Sequence, residues 1–220
     1  VATFSELQNR AQNLIRKGLE GSVFVKRYAA DDDPIEALGG SSGLLALPPG
    51  YDDLGWITKD QGINWTRDIE TSDVTSLGAS EPTRRDIVSD VSGLQVTAQE
   101  TKALTLGLYE GLDLSGTARD ADGNVVIDKP DRPASIYYRV LGLMKDGDGA
   151  DAIYIAKWLP RAQIVDRGEQ AWNENDEVQY PFTINGFVDP AVGTSQRLLI
   201  WSPTVGHIED MGFAAPAPTP

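Results

Sequence analysis

The stretch 54–100 constrains this chain most: it holds two long runs in which apolar and polar side chains alternate, joined by a turn-rich link at 76–82. In the first run Ile63, Trp65 and Ile69 share one parity, while Asn64, Thr66, Asp68, Glu70 and Ser72 share the other. A period of two sends successive side chains to opposite sheet faces, so this is a strand with one buried face and one wet face. The wet face is uncharged or acidic throughout, without the His, Lys, Arg or Cys that an enzyme cleft mixes with its acids. It suits a wall facing something negatively charged. In the second run, 84–99, the apolar parity changes midway: Ile87 and Val91 are odd, Leu94, Val96 and Ala98 even. Gly93 stands at the switch and predicts a β-bulge there. With that slip, Asp86, Asp90, Ser92, Gln95, Thr97 and Gln99 make one polar face.

The rest of the chain reads as mostly β with two helices. Ser5 and Gln8 form a capping-box pattern, and Leu7, Ala11, Leu14 and Ile15 share a helical face, which predicts a helix over about 6–17. Strands are expected at 22–29, 135–145, 152–159, 163–166, 176–188 and 196–201. Pro181 on the outer parity predicts an edge or a bulge at that point. Thr101 is placed to cap a helix with Leu104, Leu108 and Leu112 on one face, ending near Gly111. Segment 31–51 carries three consecutive Asp, a Gly-Gly-Ser-Ser-Gly run and Pro48-Pro49, and so reads as a long loop. Together with the N-terminal helix and the tail after Trp201, it is expected to order on a partner. Without βαβ alternation, a β-sandwich or partly open barrel fits best.

Composition narrows function further. At 220 residues the chain needs no staple, since a domain of this size buries roughly 70–75% of its unfolded surface. It has no Cys, which excludes disulfides and thiolate metal sites and fits assembly in a reducing cytoplasm. A single His207 excludes a multi-histidine metal site. Val1 is small enough for an initiator Met to have been removed, and no basic-then-apolar signal pattern follows it. No apolar run reaches the ~18 residues of a membrane span. The net charge of −14 opposes gripping nucleic acid, because phosphate affinity comes mainly from Lys and Arg, but not letting it pass.

Catalytic, cofactor and metal sites are not expected. Asp120-Ala121-Asp122-Gly123-Asn124 starts like a calcium loop, but Gly comes too early and Asp131 stands where Glu belongs, so a turn is expected. Asp146-Gly147-Asp148-Gly149 also reads as a turn, with weak calcium binding left open. Gly39-Gly40-Ser41-Ser42-Gly43 lacks the Lys of a phosphate loop, and Gly78-Ala79-Ser80-Glu81-Pro82 lacks the closing Gly of a nucleophile elbow.

Three strings then carry a family resemblance: Leu54-Gly55-Trp56-Ile57-Thr58-Lys59-Asp60-Gln61-Gly62-Ile63, Asp68-Ile69-Glu70-Thr71-Ser72-Asp73-Val74, and Glu81-Pro82-Thr83-Arg84-Arg85-Asp86-Ile87. With the approach 47–55 and the late segment 172–190, they resemble the tail tube (major tail) proteins of long-tailed, non-contractile phages, most of all those infecting actinobacteria. The resemblance covers about half the chain, in family order. It implies a structural subunit of the virion, one tail-tube domain over 1–213, with an N-terminal helical arm (1–21), a long loop (30–53), a lumen hairpin (54–100) and one flanking helix. An Ala/Pro-rich tail, 214–220, is expected to be flexible. It also implies six-membered rings stacked into a tube, with tape measure, tail terminator and tail tip proteins as further partners. DNA passes through the lumen without specific binding. On this reading Asp68, Glu70, Asp86 and Asp90 face the lumen, and Arg67, on the parity of Ile63 and Trp65, faces away, paired with an acid. The alternatives are a tube protein of a type VI secretion or contractile injection system, or a monomeric β-sandwich decoration or binding module.

Overall fold

Alternation sets the long strands: where apolar residues recur every second position the chain runs extended, and with three two-residue strands the described residues form ten. They are β1 (Glu20–Arg27), β2 (Gly39–Gly40), β3 (Gly43–Leu44), β4 (Asp52–Asp53), β5 (Asn64–Val74), β6 (Arg84–Ala98), β7 (Tyr138–Asp146), β8 (Ile153–Arg167), β9 (Tyr180–Gly186) and β10 (Arg197–Trp201). Among the described residues three α-helices accompany them: α1 (Phe4–Leu7), α2 (Ala103–Glu110) and α3 (Val205–Asp210). The computed structural model describes residues 3–8, 10–132 and 134–216, without the side chains of Ser5 and Glu6.

Eight strands join one open antiparallel sheet in the order β4-β1-β7-β8-β9-β6-β5, with β10 alongside β8; β2 and β3 form a separate pair. The fold is mainly β with one flanking helix, as the sequence implies. One sheet face carries the larger core: Val23, Val25, Val140, Leu159, Ile164, Leu94, Val96, Phe182 and Ile184, covered by Leu54 and by Leu108 of α2. The leucine face of α2 fixes this docking, and Gly111 ends the helix in the left-handed conformation (φ 73°) that favours glycine. The other face is covered only over β1, β7, β8 and β10, where Ile35 and Leu38 pack on Leu141, Ala156, Trp158 and Leu199.

Several expectations need correction. The predicted 6–17 helix is broken into α1 and a 3-10 turn, Gln12–Leu14, with Leu7 and Ile15 of its intended apolar face left exposed. The side chain of Ser5, the expected cap, lies outside the described residues. Thr101 does not cap α2; Lys102 stands at the N-cap without a side-chain bond, and the Thr101 hydroxyl bonds the Tyr180 hydroxyl instead. The two strands expected at 152–159 and 163–166 are one strand, β8, whose register slips beside Pro160, where a ladder N–H is missing anyway. β9 is not an edge, for it lies between β8 and β6, and Pro181 sits near its start. Segment 31–51 is mostly loop, with only the short β2–β3 pair inside it, but part of it is ordered within the subunit itself. Ile35 and Leu38 are buried in the second core, and Arg139 and Arg197 donate to the carbonyls of Ala29, Asp33 and Ile35. Of the expected tail, residues 217–220 lie outside the described residues.

Arg139 anchors that segment. Its guanidinium is fully buried, between the rings of Tyr28 (5.5 Å) and Trp158 (5.6 Å), and lies 3.5 Å from the equally buried carboxylate of Asp189. Asp189 in turn accepts from the Ala191 N–H and the Tyr28 hydroxyl.

Candidate functional site

β6 is fifteen residues long, but β9 pairs only with its last part, Gly93–Ala98. Beyond Gly93, β5 and β6 pair with each other alone, so 67–92 forms a two-stranded ribbon beyond the sheet. Residues directly opposite one another in an antiparallel pair point to the same side, so the register sorts this ribbon into two faces. On one lie Asn64, Thr66, Asp68, Glu70 and Ser72, opposite Gln95, Gly93, Val91, Ser89 and Asp86. This face continues onto β9 through Thr183 and Asn185, and no core cluster covers it. On the other lie Arg67, Ile69, Thr71 and Asp73, opposite Ser92, Asp90, Ile87 and Arg85.

The irregularity of β6 is at Val88, not Gly93: Glu70 pairs with Ser89 and Thr71 with Ile87, leaving Val88 over. This moves one predicted residue. Asp68, Glu70 and Asp86 share the polar face; Asp90 points to the opposite side, with Arg67 and Ile69. Ser92 moves with Asp90. The acid that pairs with Arg67 is Asp90 itself, in a bidentate contact at 2.6 and 2.8 Å. The adjacent Ile87-Val88 doublet, two apolar residues in succession within an alternating strand, was the signal for a bulge at this position. Gly93 has a different role. A Cβ there would lie 2.6 Å from Thr66 Oγ1 and 2.7 Å from Asn185 Oδ1, so glycine leaves room for two polar neighbours on the uncovered face.

Charge is segregated between the faces. The polar face holds three acids and one base, Arg84, which bonds Asp86 at 2.8 Å. The other holds two neutral pairs, Arg67–Asp90 and Arg85–Asp73, around the exposed Ile69 and Ile87. The guanidinium beside each carboxylate holds Asp90 and Asp73 below the usual range. Both pairs are exposed, and such pairs add little stability.

The acidic turns are internally satisfied. Asp120 Oδ1 accepts from the backbone N–H of Asp122 (2.9 Å) and Asn124 (2.7 Å), and its Oδ2 from the Asn124 amide, which lowers its pKa. Asp148 bonds Lys145 and Asp146 lies 4.0 Å from Arg16. Among the described residues no group of three or more His, Asp or Glu could hold a metal. His207 faces Asp151 at 3.3 Å, near the surface.

The described helices include none long and apolar enough to cross a membrane. No curated sequence matches the chain. Similar solved structures include one from the baseplate of the anti-feeding prophage (11% identity, 83% of this chain and 93% of that one, TM-score 0.42). An Hcp protein (9% identity, 83% and 99%, TM-score 0.31) and Hcp1 from Salmonella typhimurium (6% identity, 83% and 94%, TM-score 0.30) are also similar. TM-scores below 0.5 carry no assignment. The family model for phage tail tube proteins matches residues 14–192, most of the chain and all of the sheet but β10, and this chain therefore belongs to the phage tail tube protein family.

Proposed function

We propose that the chain is the repeating subunit of a tail tube of a long-tailed, non-contractile phage infecting actinobacteria. Six copies form a ring, rings stack, and genome DNA passes through the lumen during ejection. Tape measure, terminator and tip proteins bound the tube. The observation that carries this reading is the two-faced ribbon. An isolated two-stranded ribbon is marginal in water, and one face here presents Ile69 and Ile87 between neutralised ion pairs, a surface suited to burial against another copy. The remaining face, with Asp68, Glu70 and Asp86, then lines the lumen. Three carboxylates per copy become roughly eighteen around a six-copy ring. Repulsion between that wall and phosphate reaches only ~8 Å at physiological salt. DNA is thus kept from sticking without a large barrier to entry. Asp90, lying on the ribbon's other face beside Arg67, leaves the lumen set.

The test replaces Asp68, Glu70 and Asp86 with Lys. Subunit stability should change little, since Asp68 and Glu70 are exposed and half-exposed Asp86 makes only a surface ion pair with Arg84. Tubes built from the variant should bind DNA, and delivery should become slow and strongly salt-dependent. Asp90→Lys is the control from the opposite face and should leave the salt dependence of delivery as it is. Unchanged delivery by the triple variant at low salt would refute the lumen assignment.

A further inference from the structure

The segment before β1 leaves four large apolar side chains in water: Phe4, Leu7, Ile15 and Leu19 are each at least 63% exposed. It runs back along the α2-covered face of the sheet, where Gly18 lies over Met144 and Arg16 lies 4.0 Å from Asp146. Across the sheet, on the other face of β1 and β7, is an apolar groove of about 720 Å3. Phe24, Leu141 and Leu143 floor it, and Ile35, Leu38 and Leu45 wall it. No described residue fills it, and Leu45 at its rim is 50% exposed.

Charge matches the segment to the groove. Within a chain of net charge −14, residues 3–19 carry Arg10, Arg16 and Lys17 against Glu6 alone. The groove is flanked by Asp33 and Glu36, both exposed and neither in an ion pair with a described residue. We propose that segment 3–19 of one copy docks in this groove on a second copy. Phe4 and Leu7, spaced i, i+3 on α1, are the anchors, in the manner of a helix laid in an apolar groove. Arg10 and Lys17, both exposed, face the acidic rim, while Arg16 stays beside Asp146 of its own subunit. The contact rests on the reading of this chain as a self-assembling subunit, but on no particular ring geometry.

The chain has no cysteine, so introduced pairs report without background. Chains carrying Leu7→Cys and mass-labelled chains carrying Leu45→Cys are mixed at millimolar concentration and mildly oxidised. All substituted side chains are exposed, and an unfolding curve of each variant checks the fold. The expected result is a labelled Leu7–Leu45 heterodimer, at least about tenfold more abundant than with Val126→Cys, a position elsewhere that is more exposed than Leu45. That ratio corresponds to about 1.4 kcal/mol. Reversing the rim with Asp33→Lys and Glu36→Lys should reduce the yield. A chain with both cysteines should form a covalent ladder. Closure of that double variant within single chains, or equal yields from Leu45 and Val126, would overturn the proposal. Electron microscopy of the same samples separates the two claims: tubes without the groove crosslink refute the contact alone, and the crosslink without tubes refutes the tube reading alone.

Discussion

Replacing Arg139 with methionine is expected to cost about 4 kcal/mol of folding stability, a large share of the roughly 5–15 kcal/mol that holds a domain together. The magnitude follows from what the guanidinium touches. It donates to the carbonyls of Ala29 (3.1 Å) and Asp33 (3.3 Å), and charge-assisted bonds of this kind contribute about 1.5–3 kcal/mol each. Its loss also leaves the buried Asp189 carboxylate without its cation, and an unpaired buried charge is what makes breaking such a pair cost about 3–5 kcal/mol. Methionine recovers some packing between Tyr28 and Trp158, which keeps the total below the simple sum. Asp189→Asn removes the uncompensated charge while retaining an oxygen for the Ala191 N–H. The double variant should therefore be more stable than additivity requires, with a coupling of about 2 kcal/mol. Urea unfolding of dilute, unassembled protein, read at matched m-values, measures all three variants. A loss under about 1 kcal/mol for Arg139→Met, or a strictly additive double variant, would show that the buried pair does not fasten segment 28–38 to the sheet.

Burial raises the Tyr51 phenol to about 12, opposed in part by the bond it accepts from Trp158 Nε1. The unfolded chain ionises near 10 and the folded one does not, so this contribution is complete below pH 10 and lost as pH rises from 10 to 12. The loss should approach 2–3 kcal/mol, at about 1.4 kcal/mol per pKa unit, and Tyr51→Phe should flatten it; equal alkaline slopes for both proteins would contradict the assignment. Gly142 lies in the middle of β7 because a Cβ there would sit 2.6 Å from Trp65 Cζ2. Gly142→Val should cost about 1–3 kcal/mol by displacing that indole from the root of the ribbon. Gly116→Ala, which meets nothing within 4 Å, is the control, and an unshifted thermal midpoint for Gly142→Val would refute the close-contact explanation.

Sequence alone determined the features that rest on local periodicity and composition. The positions of β5, β6 and α2, the Gly111 helix end, the uncovered polar face through Asp68 and Glu70, and a charge balance unsuited to gripping DNA were all legible there. Family-specific strings added the tail tube assignment. Tertiary structure alone decided which residues a given partner brings together. Asp86 and Asp90 have the same parity in the sequence, yet the extra residue at Val88 puts them on opposite faces, because each bulge reverses the parity of everything on one side of it. Arg139 lies among apolar residues of an ordinary core strand, and nothing in that pattern names Asp189, fifty residues later in the chain, as its counter-charge. Segment 31–51 reads as a loop because its turn residues dominate the local signal. Ile35 and Leu38 become core residues only when the sheet offers Leu141 and Trp158 to cover, and periodicity cannot encode a surface that another part of the chain supplies.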